Sequence, residues 1–149
     1  MDFSLTFLGS DSSLLVTDAI GSVSIVTVSS SLNITEKTQI ALPADEGVAC
    51  WSVYGASLSE AFIISGSNPN ITIVDPSSGA VEGFITLAAS DMFGFDSAID
   101  RTHMYTLANT ANIAVTDLAA KPPKEIQNFD LSSVGNRKDR QGMAVYSSA

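Results

Sequence analysis

The sequence predicts an all-β fold built from repeated four-stranded units, and three observations carry that prediction. Short apolar runs alternate with clusters of Ser, Thr, Asn, Asp, Gly and Pro along the whole chain. No long window places apolar residues at the helical period, as an amphipathic helix requires. The runs also recur in one order with a period of about 42–48 residues, the range of repeat architectures.

The elements follow in order. A first strand is predicted at Phe3 to Leu8, again at Val48 to Tyr54, and again at Met92 to Ala98. A second strand follows each time: Leu14-Leu15-Val16-Thr17, Phe62-Ile63-Ile64-Ser65 and His103 to Leu107. Polar turns at Asp18 to Ser22, Gly66 to Asn70 and Asn109 to Asn112 lead into third strands. These are Val23 to Val26, Ile71 to Val74 and Ile113 to Thr116, the last two followed by Asp75 and Asp117. Asp75-Pro76-Ser77-Ser78-Gly79 is a turn, because Pro fixes one φ and Gly supplies a positive one. Pro122-Pro123 breaks the chain at the matching place. More polar fourth strands complete each unit at Thr35 to Leu42, Ala80 to Leu87 and Lys124 to Leu131. Their Glu36, Lys37, Glu82, Lys124 and Glu125 suit exposed edges, where charge discourages pairing with other sheets.

Such a repeat is the signature of a β-propeller. The predicted blades span about 2–42, 47–88 and 91–131, with one extra closing strand at about 141–147, around Gly142-Met143-Ala144-Val145-Tyr146. Closed propellers typically hold about four to eight blades, so three do not close a ring. An open set exposes an apolar face at each end. The chain is therefore expected to meet a second chain carrying the missing blades, or to self-associate into a closed ring.

Ile71-Thr72-Ile73-Val74-Asp75-Pro76-Ser77-Ser78-Gly79, Phe93-Gly94-Phe95-Asp96-Ser97-Ala98-Ile99-Asp100 and the closing Gly142 to Tyr146 carry a resemblance. The chain resembles the C-terminal half of the fungal secreted β-propeller family that includes a major Malassezia allergen and a trichothecene-cluster protein. More distantly it resembles the lactonase-like propellers. The resemblance implies part of a six- or seven-bladed ring and an extracellular setting.

The composition excludes some functions. Hydrophobic residues make up 45% of the 149 residues and charged ones 15%, with a net charge of −9. Such a chain can bury a core, and its acidity opposes binding to nucleic acid phosphates. Only seven Lys and Arg are present, with Lys121, Lys124, Arg137, Lys138 and Arg140 gathered near the end. No apolar run approaches the ~18–20 residues of a membrane span. No signal peptide is visible at Met1 to Leu8. Asn33-Ile34-Thr35 and Asn70-Ile71-Thr72 are acceptor patterns for N-glycosylation if the chain passes through a secretory pathway. Cys50, the one cysteine, is expected to be a buried, inert thiol, with pairing to another chain as the alternative.

Candidate chemistry is sparse. His103 is the only histidine, and no cysteine cluster accompanies it, so no metal site is predicted. The frame of a nucleophilic serine and a phosphate-binding Gly loop are both missing. Carboxylates carry more interest. In propellers, ligands meet the loops entering the inner strands, which here are Ala44 to Gly47, Ser90-Asp91 and Asn136 to Arg140. Asp45, Glu46 and Asp91 are expected at one mouth of the channel, with Arg137 and Arg140, and Asp96 on an inner strand facing it. Solvated loop charge is the competing account. Trp51 and Tyr54 on an inner strand either stack on a ligand or pack between blades.

The functional expectation is a non-catalytic secreted propeller-type binding protein, with a small-molecule or lipid ligand at the channel mouth. The alternatives are half of a lactonase- or cyclase-like propeller enzyme using His103, Arg and Glu46, and a protein-interaction scaffold.

Overall fold

The computed structural model describes residues 2–9, 12–88, 94–108, 111–134 and 142–146. The strands are β1 (Asp2–Phe7), β2 (Ser13–Asp18), β3 (Ser22–Val28), β4 (Ile34–Ala41), β5 (Ala49–Gly55), β6 (Glu60–Ser65), β7 (Asn70–Asp75), β8 (Ala80–Thr86), β9 (Gly94–Asp100), β10 (His103–Ala108), β11 (Asn112–Asp117) and β12 (Lys124–Asp130). They form three antiparallel sheets, ordered β1-β2-β3-β4, β5-β6-β7-β8 and β9-β10-β11-β12. Among the described residues there is no α-helix, only one 3-10 turn at Ser132–Val134.

Local chemistry explains the turns. Asp75 Oδ1 accepts the Ser77 N–H and hydroxyl, both at 2.7 Å, and Oδ2 accepts the Ser78 hydroxyl at 2.6 Å. Gly79, at φ 75°, then returns its N–H to the Asp75 carbonyl at 2.8 Å. In the third sheet Asp117 Oδ1 accepts the N–H groups of Ala119 and Ala120.

The sheets are copies of one pattern. Each has a bulge at the same register step of its third and fourth strands: Ile25/Val26, Ile73/Val74 and Val115/Thr116. A bulge there increases the local twist and turns the outer strand aside. The first strands lie against one another, β1 on β5 and β5 on β9. These are the inner strands, and the sheets are blades arranged about them.

Strand alternation gives every blade two faces. In blade 1 the back face carries Leu15, Thr17, Val23 and Ile25, all buried, and the front carries Leu14, Val16, Ser24 and Val26. By register the back of blade 2 carries Phe62, Ile64, Ile71 and Ile73, and its front Ala61, Ile63, Thr72 and Val74. The core lies in the seams. Leu15, Val23, Ile25, Ile40 and Leu42 of blade 1 pack on Ala61, Ile63 and Val74. Phe62, Ile64, Ile71, Ile73, Ile85 and Leu87 of blade 2 pack on Met104, Ala114 and Leu118. Burying one such aliphatic or aromatic side chain is worth about 1.5–3 kcal/mol, so each seam holds its two blades together.

Of the closing strand expected at 141–147, residues 141 and 147 lie outside the described residues, and 142–146 form no strand and join none of the three sheets. An inner strand gains its ladder from a neighbour in its own blade, and the described residues offer none. Instead the Met143 N–H donates to Asp96 Oδ2 at 2.9 Å.

Candidate functional site

The connection from β4 to β5, residues 43–48, packs against the turn between β6 and β7. The Asn68 side chain clamps it: Nδ2 donates to the carbonyls of Asp45 and Glu46, at 2.8 and 2.7 Å. Asn68 Oδ1 in turn accepts the Asn70 N–H at 2.9 Å. The Val48 N–H donates to Ser67 Oγ at 3.1 Å. Gly47 sits at φ 79°, and a Cβ there would lie 2.0 Å from Ser67 Oγ. Only glycine allows both that backbone and that approach.

This geometry separates the two neighbouring carboxylates. Asp45 is exposed. Glu46, expected at the channel mouth, is turned into the protein and is only 1% exposed. The turn that returns its N–H to the Pro43 carbonyl at 2.9 Å, followed by the tight Gly47, directs its side chain inward. Burial raises its pKa from 4.5 to about 7; the nearby Thr72 hydroxyl limits the rise and the Asp45 charge adds to it. Among the described residues neither Glu46 carboxyl oxygen has a partner in hydrogen-bonding geometry, and neither does Thr72 Oγ1. A neutral carboxyl is the form such a site favours.

The other candidates do not join this end. Asp96 accepts its neighbour Ser97's N–H through Oδ1 and Met143's through Oδ2, both at 2.9 Å, so both oxygens hold backbone. Trp51 is half-buried in the seam between blades 2 and 3, edge-on to Phe95. Tyr54 packs in the other seam. His103 opens β10, in register with Asp100 and Asp117. Asp91, Arg137 and Arg140 lie outside the described residues. Asn33 is exposed at the tip between β3 and β4, whereas Asn70 begins β7 and its Oδ1 accepts the Thr86 hydroxyl at 3.1 Å. Cys50 is buried, and burial raises the pKa of its thiol. Among the described residues no group of three or more His, Cys, Asp or Glu is placed to hold a metal ion. No helix there is long and apolar enough to cross a membrane.

Two features escape sequence reasoning. Asn68 lies in a turn-rich stretch where Asn reads as a turn former, and nothing local marks it as a clamp on residues 22 and 23 positions away. The second is the front of blade 1. There a groove of about 660 Å³ is lined by Leu5, Leu14, Val16, Val26 and Ile34, with Ser24 and Glu36 hydrogen-bonded to each other at 2.6 Å.

No family model and no curated protein sequence matches the chain. Solved structures do. A protein from Lactobacillus plantarum superposes with a TM-score of 0.74 at 18% identity, over 87% of this chain and 41% of that one. A chain of a mitotic checkpoint complex superposes with a TM-score of 0.67 at 12% identity, over 86% of this chain and 36% of that one. The chain thus spans about two fifths of the length of the structures it matches. At these identities the likeness shows the fold: an all-β arrangement of propeller blades.

Proposed function

We propose that the chain is a non-catalytic, propeller-type binding protein that recognises a polar ligand through the loop end around Asp45. The observation that carries this is the Asn68 clamp. It holds the carbonyls of Asp45 and Glu46 while the Asp45 side chain stays in solvent. A recognition group on a preordered loop loses less conformational freedom on binding. Its carboxylate suits ligands that bring hydroxyl or cationic donors. A secreted setting agrees with the exposed Asn33 and with the resemblance to fungal secreted propellers.

Calorimetric titration of the purified chain with calcium, neutral sugars and anionic lipid vesicles tests the proposal, alongside turnover assays on chromogenic esters and lactones. Binding of one probe that is weakened by both Asp45→Asn and Asn68→Ala is the expected result. Binding untouched by either substitution, or ester or lactone turnover by the wild-type chain, overturns it.

A further inference from the structure

Blade 1 leaves open a face that the fold buries twice elsewhere. In blade 2 the front residues Ala61, Ile63, Thr72 and Val74 are fully buried under blade 1. In blade 3 their register equivalents, Met104, Thr106, Ala114 and Thr116, are fully buried under blade 2. The same positions in blade 1 are Leu14, Val16, Ser24 and Val26, and all four are only half-buried. The pairings Phe7↔Leu14↔Val26 and Leu5↔Val16↔Ser24 carry this face across the sheet in two rows. At its margins Leu5 is 68%, Phe7 62% and Ile34 69% exposed.

We propose that the front of blade 1 is an interblade docking face, occupied by the back face of a further four-stranded blade supplied by polypeptide beyond these 149 residues. The chemistry of the occupant follows from the two seams already formed. It offers aliphatic side chains at alternate positions of its second and third strands, as Leu15, Val23 and Ile25 do for blade 2 and Ile64, Ile71 and Ile73 do for blade 3.

A second copy of this chain fits less well. Head-to-tail docking would use the back face of blade 3, which is already partly covered: Leu107 and Val115 are only 4% and 5% exposed, while Tyr105 and Ile113 beside them are half-buried. The solved neighbours agree with a further blade: this chain matches 41% and 36% of them, so both carry additional chain beyond the matched part. The inference is independent of the Asp45 reading, since it uses a different surface.

The test compares the 149-residue chain with a version in which a duplicate of residues 47–88 precedes residue 2. Both carry Cys50→Ser and the reporter Val26→Cys, and maleimide labelling of the reporter is timed. Far-UV circular dichroism and thermal melting first establish that each version folds. The expected result is rapid labelling in the short chain and labelling slowed about tenfold or more in the extended one. Ile64→Asp in the added blade alone should restore fast labelling. Equal labelling in the two versions overturns the proposal. So does a concentration-dependent protection of the short chain accompanied by dimers in sedimentation, which would make a second copy the occupant.

Discussion

Trp51 of β5 and Phe95 of β9 meet edge to face across the seam between blades 2 and 3, ring centroids 5.2 Å apart and planes at 79°. The positive edge of one ring faces the negative face of the other, which adds to simple burial. A double-mutant cycle with Trp51→Leu and Phe95→Leu, read by chemical denaturation, is expected to give a coupling of about 0.5–1.5 kcal/mol. A coupling near zero would show that the ring pair adds nothing beyond burial in the seam.

Glu46 makes the fold pH-dependent in an unusual direction. Its folded pKa is raised to about 7 against 4.5 for the unconstrained group. Between those values the folded state binds a proton that the unfolded state has lost, so stability falls as pH rises through that window. The loss should be on the order of 2 kcal/mol, after allowing for relaxation around the charged form. Burial and the charge of Glu82 raise Glu60 in the same direction. Glu46→Gln should remove only the first share, making the chain more stable than wild type at pH 8 and flattening the profile from pH 5 upward. Thermal melts at both values would show it; an unchanged profile would refute the buried, neutral carboxyl.

Buried threonines should respond in opposite ways to valine. Thr17 Oγ1 donates to the Cys50 carbonyl and accepts the Ser4 N–H, each at 3.0 Å. Thr116 Oγ1 is buried with no partner among the described residues. Replacing Thr17 leaves two groups in the seam unpaired and should cost about 1–2 kcal/mol, whereas Thr116→Val removes an unsatisfied hydroxyl and should be neutral or stabilising by about 1 kcal/mol. Denaturant midpoints of the two variants decide the matter.

The two glycosylation patterns are unequal in the folded chain. Asn33 projects from a hairpin tip beside the exposed Thr35, while Thr72 of the second pattern is fully buried and Asn70 is engaged by Thr86. Expressed in a secretory host, the folded, exported product should carry one glycan, removed by Asn33→Gln and unaffected by Asn70→Gln. Intact-mass measurement before and after deglycosylation checks this; a glycan at Asn70 alone would contradict it.

Much of the architecture was legible because strands announce themselves locally. Apolar runs such as Phe62 to Ser65 and Ile71 to Val74, separated by Gly and Asn turns, place a strand wherever they occur, and their recurrence reveals the blades. The site was less legible. Asp45 and Glu46 are adjacent acids in one loop, and nothing in that dipeptide says that one faces solvent and the other the interior. Leu14 and Leu15 pose the same problem: both are leucines in one strand, yet one is buried in a seam and the other lies on the open front.

By itself, then, the sequence determined the all-β repeat, the order of its strands and the turns between them, because φ preferences, side-chain alternation and turn hydrogen bonds act over a few residues. Tertiary structure alone decided which blade faces are covered, that Glu46 is enclosed while Asp45 is not, and that Asp96 holds the Met143 backbone. Those outcomes depend on contacts between residues such as Asn68 and Asp45 or Asp96 and Met143, which only the docking of one element on another brings within hydrogen-bonding distance.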